Sequence, residues 1–202
     1  MLAFDEIIRR RRSIRKFKAD TVAQEHVEAI IEAARLAPSG CNMQPWRFKI
    51  VRDNTTKHKL VQACYGQEFI AKAPVVIVCC ADIGSYNTGT LSAVTDYGRN
   101  GPVEENALRK IFNKMAPADR LEPSSLIPGV LINVAIAIEH MVLKAVDLGL
   151  GSCWVRLLDE HSIRSMFAWG PDLCVVAVLP IGYPDGTPPA KERLPLDRIL
   201  LD

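Results

Sequence analysis

Pro38-Ser39-Gly40-Cys41-Asn42-Met43-Gln44-Pro45-Trp46 is the stretch on which the architecture turns. Its prolines, its glycine and the polar side chains of Ser39, Asn42 and Gln44 favour neither a helix nor a strand, so it reads as a loop. Amide side chains both donate and accept, which suits the edge of a heterocycle better than a phosphate. Upstream, Val27, Ile30, Ile31, Ala34 and Leu36 recur at helical spacing from Gln24 to Ala37, where Pro38 and Gly40 stop the pattern. Downstream, Phe48, Ile50 and Val51 after Trp46 predict a strand.

Nearer the N-terminus, Ala3 to Arg12 reads as a short amphipathic helix with Phe4, Ile7 and Ile8 on one side. Thr55 to Cys64 reads as a helix capped by Asn54 or Thr55, and Pro74 to Ala81 as a buried strand containing Cys79 and Cys80. Asp82 to Pro128 loses periodicity and carries Gly84, Gly89, Gly98 and Gly101, so it predicts a surface excursion with one short helix from Glu104 to Met115. The long apolar stretch Ile127 to Leu150 is interrupted by Asn133, Glu139, His140, Lys144 and Asp147. That makes it a poor membrane span and predicts a helix buried in the core or against a second subunit. An apolar run (Ser152 to Leu158), a helix (Glu160 to Ala168), a strand (Cys174 to Gly182) and a tail rich in proline and charge follow. The uneven alternation predicts an α+β class, a central sheet flanked by helices, in one domain over residues 1–202. No G-x-G-x-x-G follows a strand and no G-x-x-x-x-G-K occurs, so neither dinucleotide-binding nor P-loop signatures are present.

Of 202 residues, 49% are hydrophobic, enough for a substantial core. With 25 basic and 23 acidic side chains the net charge is +2, which gives no global pull toward nucleic acid or anionic lipid. The six cysteines lack C-x-x-C spacing, and Met1 leads into charged residues without an apolar leader, so a reducing cytoplasm is the expected home. His26, His58, His140 and His161 show no triad or metal spacing, and no metal site is expected.

Four constellations carry chemistry. Arg11-Arg12-Ser13-Ile14-Arg15-Lys16-Phe17, if extended, points Arg11, Ser13 and Arg15 to one side, a geometry for phosphate oxygens; a solvated basic face or a nucleic-acid arm are the rival readings. The loop quoted first is the second. The third is Gly149-Leu150-Gly151-Ser152-Cys153-Trp154-Val155-Arg156, whose glycines allow close backbone approach. Lys191-Glu192-Arg193-Leu194-Pro195, the fourth, could return two cations to the N-terminal arginines or remain a solvated tail.

In this order and at these separations, R-R-S-x-R, P-S-x-x-N-x-Q-P-W and K-x-R-L-P resemble the nitroreductase-like FMN enzymes, from about Phe4 to about Pro195. The resemblance implies a central, mostly antiparallel sheet in an intertwined homodimer built around the long apolar helix. It implies that Arg11, Ser13, Lys191 and Arg193, with Arg12 beside them, hold the FMN phosphate and ribityl chain, and that Arg15 sits near the pyrimidine edge. Pro38, Ser39, Gly40, Asn42 and Gln44 would approach the ring from the other subunit. Trp154, Val155 and Arg156 would lie along the flavin with a backbone amide aimed at N5.

Two departures stand out. Arg156 occupies a position where many relatives carry glycine, and it either selects an anionic substrate or forms a salt bridge in the dimer. Tyr65-Gly66-Gln67-Glu68 lacks the asparagine and lysine that some members direct at the flavin, leaving Gln67 as the substitute. The activity implied is ping-pong: NAD(P)H, a diffusible donor, gives hydride to the flavin, which reduces a small acceptor such as a nitroaromatic or quinone, with no catalytic residue demanded of the protein. The alternative is a flavin-binding redox sensor or storage protein without turnover. Substrate choice would lie in the Asp82 to Pro128 excursion.

Overall fold

A computed structural model describes residues 2–84, 104 and 123–201. Apart from Glu104, the helix expected from Glu104 to Met115 lies outside the described residues, as does most of the excursion around it. In chain order the elements are α1 (Phe4–Arg10), α2 (Gln24–Arg35), a 3-10 turn (Gly40–Asn42), β1 (Trp46–Val51), α3 (Asn54–Ala63), α4 (Phe69–Lys72), β2 (Val75–Asp82), α5 (Pro123–Asp147), β3 (Gly151–Ser152), α6 (Glu160–Met166), β4 (Leu173–Gly182) and a second 3-10 turn (Leu196–Arg198).

The strands form one sheet in the order β1-β2-β4-β3, and every pairing within it is antiparallel. β2 is buried from Val75 to Ala81 and explains its own unbroken apolar run. Val75, Ile77, Cys79 and Ala81 pack toward α2 and α5, while Val76, Val78 and Cys80 pack toward α3, α4 and α6. Helices cover both faces, so the period-2 pattern of a half-solvated strand is lost. β4 contains a bulge: Cys79 faces Ala177 and Cys80 faces Val175, which leaves Val176 without a partner on β2. The extra residue puts Val176 and Ala177 on the same side, and both join the α2/α5 core.

Local chemistry sets the ends. α3 is capped by Asp53, whose carboxylate accepts from Thr56 N at 2.8 Å, rather than by Asn54 or Thr55 as expected. That bond, with its charge stabilised by the helix amides, holds the Asp53 carboxyl below the usual carboxylate range. Asp159 caps α6 in the same way through Ser162 N at 3.2 Å. α5 begins earlier than the apolar pattern suggested and carries Pro128 inside it. α1 buries nothing completely: Ile7 is half-buried, but Phe4 and Ile8 are 65% and 50% exposed, so its expected apolar side is only partly covered within the chain. Of the Ser152 to Leu158 run, Ser152 alone belongs to β3, and the rest contributes an isolated Val155–Val178 bridge.

Candidate cofactor cleft

The chain between α1 and α2 adds to the sheet at the β3 edge. Ser13 forms a parallel bridge with Ser152, Ile14 N donates to Ser152 O at 2.9 Å, Lys18 N donates to Tyr183 O at 2.9 Å, and Phe17 bridges Pro184. Ile14 is buried, which turns Ser13 and Arg15 to the opposite, exposed side. Gly151 and Gly182, cross-strand partners, make this docking possible. A Cβ on Gly151 would stand 2.9 Å from Ile14 Cβ, and one on Gly182 3.0 Å from Phe17 Cδ1 as well as 2.5 Å from Pro74 Cδ. The close approach read from Gly151 is therefore made by Ile14 of the chain itself.

Asp185 N donates to Lys16 O at 3.0 Å, which starts the C-terminal segment beside the N-terminal one. Between them lies a cleft of about 610 Å³ lined by Arg9, Arg11, Arg12, Ser13, Arg15 and, from the far end of the chain, Pro188 to Lys191 and Arg193. A smaller recess of about 360 Å³ shares Ser13, Arg15 and Pro188. The larger cleft gathers six cations and no carboxylate among its lining residues, so it presents an uncompensated positive field suited to an anion. Arg12 is partly occupied: its Nη1 donates to Arg9 O at 2.7 Å and Arg11 O at 2.8 Å, which satisfies carbonyls at the α1 C-terminus. Arg15 lies over the Phe69 ring, 5.8 Å from its centroid. Behind Arg11 is Glu139 of α5, whose carboxyl is pushed up by desolvation against the opposing pull of Arg11 and His140.

From Ser152 the strand continues past this cleft. Cys153 N and Val155 N donate to Pro180 O and Val178 O of β4 at 3.3 and 3.0 Å. The amides of Trp154 and Arg156 therefore face the other edge, where no partner is found among the described residues. Any backbone donor offered to a ligand here is one of those two, since Val155 is already engaged. Trp154 is half-buried against the core, Val155 is buried, and Arg156 is exposed with Nη1 donating to Val176 O at 2.5 Å.

The family model described as Nitroreductase family matches residues 8–183. The chain belongs to the nitroreductase family. A Thermus thermophilus NADH dehydrogenase is 32% identical over 195 residues, covering 95% of this chain and 92% of the relative. A Bacillus subtilis FMN reductase [NAD(P)H] is 28% identical, covering 93% and 68%. Among solved structures, a nitroreductase family protein from Streptococcus pneumoniae matches with a TM-score of 0.78 at 26% identity, covering 99% of this chain and all of that one. The complex with FMN of a protein from Exiguobacterium sibiricum matches with a TM-score of 0.81 at 23% identity, covering 99% and 97%.

In this nitroreductase chain the Pro38 to Gln44 loop stands apart from the cleft: none of Pro38, Ser39, Gly40, Asn42 or Gln44 lines it. Gly40 N donates to Asn133 Oδ1 of α5 at 2.9 Å, and Asn133 Nδ2 donates in turn to Gly129 O at 2.9 Å. Ser39 Oγ accepts from Gln44 N at 3.0 Å, while Asn42 and Gln44 adopt left-handed φ of 54° and 47°. The loop is thus tied to the long helix by one buried asparagine, which the sequence shows only as a polar break in an apolar stretch. Gln67 Nε2 is shared between Cys64 O at 3.0 Å and Leu157 O at 3.1 Å, so its amide donors clamp two backbone segments together. Phe69 under Arg15, Arg9, and the Pro188-Pro189 wall were not singled out from sequence.

No cluster of three or more metal-ligating side chains occurs among the described residues. Burial pushes the thiols of Cys64 and Cys80 up to about 12 and that of Cys79 up as well, which keeps them protonated.

Proposed function

We propose that this chain is an FMN-dependent oxidoreductase that takes reducing equivalents from NAD(P)H and delivers them, by ping-pong turnover, to a small acceptor such as a nitroaromatic or quinone. The observation that carries this reading is the cleft where residues from both ends of the chain place six cations and Ser13 around one space without a carboxylate. A phosphate monoester fits that donor set, because arginine forks and a hydroxyl satisfy its oxygens by charge-assisted bonds. Arg11, Ser13, Lys191 and Arg193 would hold the phosphate and ribityl chain, with Arg12 buttressing from the α1 end. When bound, FMN supplies the redox chemistry, accepting hydride and passing electrons to the acceptor. Arg15, supported on Phe69, provides a cation that stabilises negative charge developing on the ring. The free amides at Trp154 and Arg156 supply hydrogen-bond donors along the strand edge, and Val155 anchors that edge to β4.

The site requires a second copy of the chain in this reading. α5 is apolar enough over Ile127–Asp147 to pass as a membrane span by composition, yet 44% of its 18-residue apolar part is buried within the chain, and Ile132 is 63% exposed. Glu139, Lys144 and Asp147 make lipid a costly neighbour, so the open face suits a second α5. The Pro38 to Gln44 loop, held on that same helix by Asn133, would then enclose the partner's ring. Residues 1–202 would act as one domain, with the 82–128 excursion covering the substrate, and the unpaired, protonated thiols fit a reducing compartment such as the cytoplasm.

The visible spectrum of purified protein tests the reading: it should be yellow, and anaerobic addition of NADH or NADPH should bleach it. Colourless protein that does not take up added FMN would refute it. Yellow protein that bleaches but passes electrons to no acceptor would instead support a redox sensor or storage protein.

A further inference from the structure

We propose that Arg156 selects acceptors that carry an anion, in particular a planar aromatic bearing a carboxylate, and this rests on the flavin reading above. The bulge in β4 leaves Val176 without a partner on β2, and the Arg156 guanidinium donates to its carbonyl at 2.5 Å. One corner of the guanidinium is thereby pinned to the sheet. The side chain remains exposed, and no carboxylate pairs with it among the described residues. What is left is a fixed, planar cation with free N–H donors, the geometry that takes a carboxylate through two parallel bonds.

In the flavin reading, its place along the chain would put it away from the phosphate end of the cofactor. Ser152 is bridged to Ser13 in the phosphate cleft, and Arg156 lies four residues further along an extended segment, about 13 Å away at the rise of a strand. The Arg156 amide opens onto the same unpaired strand edge. Arg156 lines neither recess of the cleft, and in the flavin reading a cation at that distance from the phosphate would lie toward the reactive end. Satisfying the bulge carbonyl needs only a neutral donor, so that duty alone does not account for a full positive charge.

The test uses flavin-loaded wild type, R156Q and R156K. Glutamine keeps a neutral donor for Val176 O, and lysine keeps the charge. Para-nitrobenzoate and para-nitrobenzamide, matched in shape, serve as acceptors with NADH, and calorimetry gives the affinity of the unreactive pair benzoate and benzamide. The expected result is a fall of about tenfold or more, in R156Q, in both the benzoate-to-benzamide affinity ratio and the kcat/KM ratio of the nitro pair, recovered largely in R156K. Ratios that stay within about twofold across three yellow, active proteins would overturn the proposal. So would R156Q protein that loses its dimer and slows on both acceptors alike, because Arg156 would then serve a subunit contact. Colourless wild-type protein would sink the flavin reading itself, and this inference with it.

Discussion

Removing Arg11 and Arg193 together is the perturbation that reads the cleft most quantitatively. The two guanidinium groups come from opposite ends of the chain and line the same space, with Arg11 half-buried and Arg193 exposed. A hydrogen bond to a charged group contributes about 1.5–3 kcal/mol. The exposed position of Arg193 argues for the lower bound, and the two losses are taken as additive. Taking the low value for each gives about 3 kcal/mol, or FMN binding weaker by about 150-fold. The assay is titration of FMN fluorescence with flavin-free protein, comparing wild type, R11A, R193A and the double variant. R35A is the control, since Arg35 is paired with Glu32 on the exposed face of α2. A double-variant Kd within about threefold of wild type would refute the phosphate assignment.

Three further outcomes follow from the same geometry. Gly151→Ala would press a methyl against Ile14, so it should destabilise by about 1–3 kcal/mol in denaturant melts and loosen FMN together with the N-terminal segment; an unchanged midpoint would contradict the docking described. Asn133→Ala leaves the Gly40 amide without its acceptor and should cost about 1–3 kcal/mol, with faster hydrogen exchange at Gly40; unaltered exchange would show that the loop is held by something else. Asp53→Ala should lower stability at neutral pH. Because the folded Asp53 carboxyl titrates below its unfolded value, its contribution is present above the unfolded pKa and is lost as pH falls through the folded one, so the two melting curves should converge in acid; a gap that persists there would point to another cause.

The frame was legible because its signals are long. The helical spacing of Val27, Ile30 and Ala34, the apolar runs of β2 and β4, and the extent of α5 all appear where the pattern put them, within a few residues. The meeting of the two cationic segments was an expectation of the family resemblance; residue types alone left Lys191 and Arg193 equally readable as a solvated tail. Short-range choices were not. Asp53, Asn54 and Thr55 are all good caps, and only the geometry selects Asp53. α4, four residues long, is too brief to show a period. Gly151 signals close approach but not by whom, and Ile14 is distant in sequence. Asn133 looks like an interruption until its two hydrogen bonds are seen. Arg156 offered two readings, and the bulge at Val176 that anchors it follows from register, which no local pattern encodes.

The most direct test of the central claim is a crystal structure of the protein grown with FMN. The phosphate should be bound between Arg11 and Ser13 on one side and Lys191 and Arg193 on the other, with the Pro38 to Gln44 loop of a second copy against the ring. A phosphate bound elsewhere, or a ring enclosed by a single chain, would contradict that claim.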